Sequence, residues 1–326
     1  MINGDDYKKL FKSITPSENL INDIKSSSGS LKKSKNLKLI FTTLAVIVII
    51  LSIGIKYILN SSVKSDYSYI QTPPSESSVV LEDGSLFIPP LPLPKNDSDA
   101  SSNLARLVVY NKRIYQGTDM TYIDPIKAAE IKDRNLGVTK PSLKGWDTQE
   151  NVSGEFPSTI EVHDVYSIKG YDTDFRILVS MKLSDGSEYP AIFECDNNLT
   201  LKTGYDWFGK FKFQNNIKSI TYSSFDSWMS YPNTKFIDLN LTPEIYHFID
   251  SLNTSKPISR ENSDLNKLFF DGSIDELNIH TKILSITLND GMTTILRIHD
   301  EGYIMSGPGF FQIDKTVMDE VWKNFK

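Results

Sequence analysis

Polar and apolar residues intersperse along most of this chain, but from Leu39 to Ile55 the interspersion stops. No residue in that run carries a charge, and twelve are Leu, Ile, Val or Phe. At about 1.5 Å per residue the run makes roughly 26 Å of helix, and continuation through Tyr57, Ile58 and Leu59 gives roughly 31 Å, the thickness of a bilayer's hydrocarbon core. Its large apolar residues contribute on the order of −4 to −7 kcal/mol to insertion, while Lys56 sits where it can snorkel. Buried core helices are seldom apolar all round, so the pattern predicts a transmembrane helix over residues 39–59. About 38 residues precede it and Asn60-Ser61-Ser62 offers no small-residue cleavage site, which points to an uncleaved anchor rather than a signal peptide.

Residues 1–38 are too few to close a core unaided, yet they are patterned. Tyr7, Leu10, Phe11 and Ile14 follow the spacing of one helical face, with Lys8, Lys9 and Lys12 opposite and Asp5 and Asp6 ahead, where they favour the helix dipole. Thr15-Pro16-Ser17-Glu18 has capping-box spacing and starts a second predicted helix carrying Leu20, Ile21 and Ile24 on one side. Such short helices must bury their stripes in a protein groove or among lipid headgroups. The Ser-rich tether Ser26-Ser27-Ser28-Gly29-Ser30 separates them from the bilayer and favours a soluble partner.

Residues 60–102 are rich in Ser, Asp, Asn and Pro and include Pro89-Pro90-Leu91-Pro92-Leu93-Pro94, which predicts a disordered tether able to reach up to about 130 Å. Beyond it, short strand and turn signals alternate with a few helices, an α+β pattern. Leu107 to Tyr110 and Arg113 to Tyr115 read as a hairpin around Asn111-Lys112, and Asp124-Pro125 caps a helix through Ala128 and Ile131 that ends near Gly137. Tyr166 to Lys169, Phe175 to Leu183, Tyr189 to Cys195 and Leu199 to Lys202 read as a meander turning at Asp185-Gly186. Thr242-Pro243-Glu244 starts a helix with Ile245, Phe248, Ile249 and Leu252 inward. A second meander follows: Lys282 to Leu288, Thr293 to Ile298, Gly302 to Ser306 and Phe310 to Ile313, its first pair turned by Asp290-Gly291. Asp314 caps a last helix carrying Val317, Val321, Trp322 and Phe325. The meanders share their intervals to within one or two residues, the mark of a distant duplication and equally of chance. Duplication predicts two similar lobes, 103–240 and 241–326, with a binding cleft between them.

Charge sharpens the division. Residues 1–38 hold eight Lys against four acids and Lys56 adds one, so the net −6 of the chain leaves −11 for the remainder. Lys25, Lys32, Lys33, Lys35 and Lys38 crowd one flank of the apolar run and only Lys56 and Lys64 the other, which places the N-terminus in the cytosol against anionic lipid and the C-terminal bulk outside the cell membrane. An acidic exterior argues against nucleic acid as a direct partner. The single cysteine, Cys195, excludes an intrachain disulfide and reads as a small buried hydrophobe. His163, His247, His280 and His299 show no ligand spacing, and no nucleophile elbow, phosphate loop or dinucleotide fingerprint occurs, so no catalytic residue, metal or cofactor is expected. Trp207 with Phe208, Phe225 with Trp228 and Tyr231, and Phe310 with Phe311 fit core packing, or a stacking surface for sugar or peptide.

Tyr7-Lys8-Lys9-Leu10-Phe11, then Ile14-Thr15-Pro16-Ser17-Glu18, a basic juxtamembrane run and one N-in apolar helix together resemble membrane-bound anti-sigma-factor-like proteins of Gram-positive bacteria. Val108-Val109-Tyr110-Asn111, Gly145-Trp146, Val165-Tyr166 and Gly170-Tyr171-Asp172 are similar to exterior regions of such proteins. The resemblance implies a short cytosolic helical segment that sequesters a sigma factor through Tyr7, Leu10, Phe11, Ile14, Leu20, Ile21 and Ile24, and an ectodomain that senses the envelope. The zinc-binding branch of that family needs a His-x-x-x-Cys-x-x-Cys constellation in the cytosol, which this chain lacks. The alternatives are an anchored module that binds an envelope ligand while its N-terminal helices rest on membrane lipid, and an exterior hydrolase.

Overall fold

A computed structural model of the chain describes residues 77–91, 106–143, 154–182, 187–231 and 233–325. The chain divides into two units, Met1–Ser68 and Tyr69–Lys326, and every described residue belongs to the second. The expected cytosolic helices, the apolar run and the lysines around it lie outside the described residues. Among those described, no helix is long and apolar enough to cross a membrane.

In chain order, β1 (Val79–Val80) and β2 (Leu86–Ile88) precede a hairpin of β3 (Leu107–Tyr110) and β4 (Arg113–Gly117), followed by β5 (Thr121–Ile123), helix α1 (Pro125–Ile131) and β6 (Lys132–Val138). Then come β7 (Asp164–Ile168), β8 (Arg176–Lys182), β9 (Glu188–Glu194), β10 (Leu199–Leu201), α2 (Tyr205–Phe208), β11 (Ile217–Ser224), α3 (Phe225–Met229) and β12 (Ile237–Leu239). The remainder holds α4 (Pro243–Thr254), β13 (Lys256–Ser259), α5 (Ser263–Phe270), α6 (Ile274–His280), β14 (Thr281–Leu288), β15 (Met292–His299), β16 (Tyr303–Ser306), β17 (Gly309–Gln312) and α7 (Lys315–Trp322). The described region is thus mixed α and β, with antiparallel strand pairs and a few helices. Local chemistry accounts for the helix starts: the Asp124 and Asp314 side chains accept the backbone N–H of Ile126 and Thr316, and Ser273 with Glu276 forms a reciprocal capping box.

Among the described residues the strands form three sheets: β1-β2-β10, the six-stranded β3-β4-β9-β8-β7-β6, and an eight-stranded β12-β11-β14-β15-β16-β17-β13 with β5 added beside β15. One face of each large sheet contributes to a shared core. Leu178 and Ile192 from the smaller sheet and Ile220, Leu284, Ile286, Leu296 and Ile298 from the larger belong to one apolar cluster. Ile245, Phe248, Ile249 and Leu252 of α4 and Met318 and Val321 of α7 join the same cluster. Fully burying each such side chain contributes about 1.5–3 kcal/mol, so the apolar stripes of α4 and α7 dictate which sheet face those helices cover. On the other face of the eight-stranded sheet, Leu265 and Phe269 of α5 pack with Phe310, Met305 and Tyr303.

Four expectations are corrected. The tether is not structureless throughout: β2 pairs with β10, Leu86 is buried, and the Ser78 hydroxyl donates to Ser259 Oγ at 2.7 Å. Those partners lie more than a hundred residues away, so the local Ser/Pro composition carried no sign of them. The first helix stops at Ile131 rather than near Gly137, because Lys132–Val138 pairs with β7 instead. Leu199–Leu201 leaves the first meander for β2, so three strands remain in it. Finally, the two lobes do not divide at residue 240: β5, β11 and β12 belong to the second meander's sheet, and both sheets share a core.

Candidate functional site

Alternation along β11, β14 and β15 sends the even-numbered residues to the core and the odd-numbered ones to the opposite face. On that face Ser219 stands across from Thr287 and Thr287 from Thr293, while Thr221 stands across from Ser285. Ser223 lies on the same side, opposite Ile283. The result is an array of six hydroxyls two to three strands wide, with Thr287 Oγ1 and Thr293 Oγ1 3.0 Å apart. Tyr122, 39% exposed, flanks it opposite Thr293, and Asp238 flanks it opposite Thr221. At one end Arg297 packs its guanidinium over Phe225 and Phe270, 5.2 and 5.0 Å from the ring centroids. Short hydroxyls both donate and accept; Ser223, Ser285 and Thr293 are buried, so the part of this face that can hydrogen-bond a neutral polyol is Ser219, Thr221 and Thr287, with the Tyr122 ring at its edge for stacking.

A second cluster is polar and deeply buried. Arg176, 0% exposed, donates from Nη2 to Glu194 Oε1 at 2.5 Å and lies over the rings of Tyr171, Phe175 and Phe211 at 4.4 to 4.9 Å. Its Nε and Nη1 have no hydrogen-bond partner among the described residues, and the three ring faces supply the compensating negative charge. The Tyr171 hydroxyl donates to Asp290 Oδ2 at 2.8 Å, extending the chain of contacts to the β14–β15 turn. Burial pushes the Glu194 carboxyl above its ordinary range, opposed by Arg176 and by the Thr121 hydroxyl. This cluster joins the two sheets and holds structure rather than a ligand.

A third cluster was invisible in the histidine spacing. His280 and His299, nineteen positions apart, stack at 5.8 Å and 14°, with the Asp300 carboxylate between them. The hairpin register that puts Thr281 opposite His299 brings His280 beside Asp300. That register follows from a loop over Asn289, Asp290 and Gly291, in which Gly291 adopts φ +87° as the left-handed residue of a three-residue turn. Reading Asp290-Gly291 alone as the turn shifts the pairing by one residue and misses the cluster. His163 is buried and accepts the Lys182 N–H at Nδ1, and His247 is exposed on α4. Among the described residues no group of His, Cys, Asp and Glu could hold a metal ion.

The other singled-out residues sort by burial. Cys195 is buried and its thiol is pushed up by that burial. Trp207, Phe208, Phe310 and Phe311 are core residues, whereas Tyr231 is exposed. The expected partner-binding residues Tyr7, Leu10, Phe11, Ile14, Leu20, Ile21 and Ile24, and the flanking Lys32, Lys33, Lys35, Lys38 and Lys56, lie outside the described residues. Compared with known protein families, with curated proteins and with solved structures, the chain matches none.

Proposed function

We propose that this protein is a single-pass membrane regulator that sequesters a sigma factor on its N-terminal cytosolic helices and reads the envelope with its C-terminal domain. The observation that carries the reading is the uncharged run Leu39–Ile55, with lysines concentrated on its N-terminal flank and two amphipathic patterns beyond them. The apolar stripe Leu10, Phe11 and Ile14 supplies the inhibitory contact, and one helix on a long tether transmits small conformational changes poorly, so release requires loss of the anchor. Replacing Leu10, Phe11 and Ile14 together with Asp should leave membrane fractionation unchanged and reduce co-purified sigma factor at least tenfold, since three charges enter an apolar groove at several kcal/mol in total. Undiminished co-purification would refute the assignment.

A second reading is favoured by the hydroxyl-lined face: an anchored module whose exterior domain binds a neutral glycan of the envelope, with its N-terminal helices resting on lipid. Thr287→Lys and Ser219→Lys place long cations on the array at positions of intermediate burial. Each should cut sedimentation of the full chain with purified cell-wall glycan by about tenfold, equivalent to about 1.4 kcal/mol. Equal sedimentation of both variants and the native chain sinks this reading.

A further inference from the structure

The Asp300 carboxylate is held from both sides. Its Oδ2 lies 2.7 Å from Nδ1 of His280, and its backbone N–H donates to the His280 carbonyl at 3.0 Å. Its Oδ1 lies 3.0 Å from Nδ1 of His299. That same Nδ1 accepts the backbone N–H of Glu301 at 3.2 Å, so neutral His299 carries its proton on Nε2. Asp300 Oδ1 therefore faces a nitrogen with no proton to offer, and it is a buried oxygen without a hydrogen-bond partner among the described residues. A proton on Nδ1 would satisfy this oxygen but take the acceptor from Glu301. Each arrangement leaves one polar group unmet, the condition for a two-state element.

We propose that His299 and Asp300 form a proton-operated latch on the turn between β15 and β16. Uptake of one proton from solvent at His299 Nδ1 replaces the Glu301 N–H···Nδ1 bond by an Nδ1–H···Oδ1 bond to Asp300 and frees the Glu301 amide. The groups that bear on it come from every neighbouring element. His280 of α6 occupies the other carboxylate oxygen, with Glu276 of the same helix acting on His280. Lys282 of β14 and Lys315 of α7 both feel the Asp300 charge, and Glu301 acts on Lys315. Tyr303 of β16 stands across from His299, and the Phe269 ring of α5 packs against it edge-on at 5.6 Å.

The direction of the switch follows from burial. His299 is almost completely enclosed, and burial holds its pKa down to about 4, with Asp300 pulling upward and His280 and Lys315 downward. The unfolded chain takes up this proton at an ordinary histidine pKa of about 6.5. The folded state therefore loses stability as pH falls from about 6.5 toward 4, and the latch changes state at the acid end of that window. As an external signal, acid suits the sensor reading above, on which the regulatory purpose of the latch rests; the proton exchange itself does not depend on it.

The full chain has four histidines, which makes a titration of 13Cε1-labelled histidine readable in detergent micelles once single His→Gln variants assign the resonances. One resonance, absent from His299→Gln, should titrate with a midpoint near 4, and the Glu301 amide should shift over the same range. In Asp300→Asn the negative charge that accepts the Nδ1–H bond and favours the protonated ring is gone, and the midpoint should fall by about one pH unit or more. Thermal melts give an independent reading, with the native chain losing stability relative to His299→Gln between pH 6.5 and 4. A His299 midpoint of 6 or above, a midpoint unmoved in Asp300→Asn, or a Glu301 amide that ignores the titration overturns the proposal. None of these readouts involves a sigma factor, so failure here and failure of the co-purification experiment are separate results.

Discussion

Replacing Arg176 with methionine should lower the unfolding free energy by about 3–5 kcal/mol at neutral pH, because methionine fills much of the same space but leaves the Glu194 carboxylate buried without its counter-charge. The guanidinium is fully enclosed and meets the Tyr171, Phe175 and Phe211 rings, so water cannot easily take its place. Burial already raises the Glu194 pKa, and loss of Arg176 raises it further. A carboxyl with a raised folded-state pKa costs stability once pH exceeds its unfolded value. The deficit of Arg176→Met should therefore be largest at pH 8 and shrink on acidification as Glu194 takes up a proton. Combining Arg176→Met with Glu194→Leu should recover most of the loss, since a buried ion pair and a well-packed apolar pair are of similar worth. Urea unfolding at pH 5 and pH 8 followed by tryptophan fluorescence checks all three expectations. A loss below about 1 kcal/mol, or one that grows on acidification, would show that Arg176 does not compensate the buried Glu194 carboxylate beside it on the neighbouring strand.

Trp207→Ala should cost about 3–5 kcal/mol through lost burial and the cavity left behind. The ring is 1% exposed and packs edge-on against Phe175 and Phe211, each at 5.3 Å, while Nε1–H donates to Ser306 Oγ at 3.0 Å. Trp207→Phe should lose less, and about 1 kcal/mol of its loss belongs to that hydrogen bond. A more specific consequence concerns Gly307, whose φ is +43° and where a Cβ would fall 2.1 Å from the Trp207 ring. In the native background Gly307→Ala suffers both this clash and the left-handed backbone. In the Trp207→Ala background only the backbone cost of about 1–2 kcal/mol should remain. The two substitutions should thus be markedly non-additive, and additive losses in a double-mutant cycle would contradict the packing described.

The parts of this fold legible in advance were those set by contacts close in sequence. The hairpin at Asn111-Lys112 pairs as expected, since both turn residues take left-handed backbone and the flanking strands are buried on both faces, Val108 and Tyr115 in one apolar cluster and Leu107, Val109 and Ile114 in another. The helices starting at Pro125, Pro243 and Lys315 begin where their caps predicted, and the buried face of α4 is the predicted one. The strand at Ile217–Ser224 is not legible in the sequence because its Ser and Thr content mimics loop composition. Its partners, β12 and β14, identify it only after the chain has folded. Short helices such as Ile274–His280 were hidden for a similar reason, being too brief to establish a helical period.

The candidate sites divide along the same line. The helix-period apolar spacing at residues 7–24, the uncharged segment of bilayer length and the lysine asymmetry around it are patterns of spacing and charge close in sequence, and as patterns they are legible in the sequence alone. The hydroxyl array, the Arg176–Glu194 pair and the His280–Asp300–His299 cluster depend on which strands lie side by side and in which register. A shift of one residue in β14 against β15 would turn every hydroxyl of one strand to the core and part His280 from Asp300. Register is decided by burial of the two sheets' shared apolar face and by one left-handed glycine at position 291. Those are long-range and conformational quantities, and so the chemistry that rests on them emerged only from the folded chain.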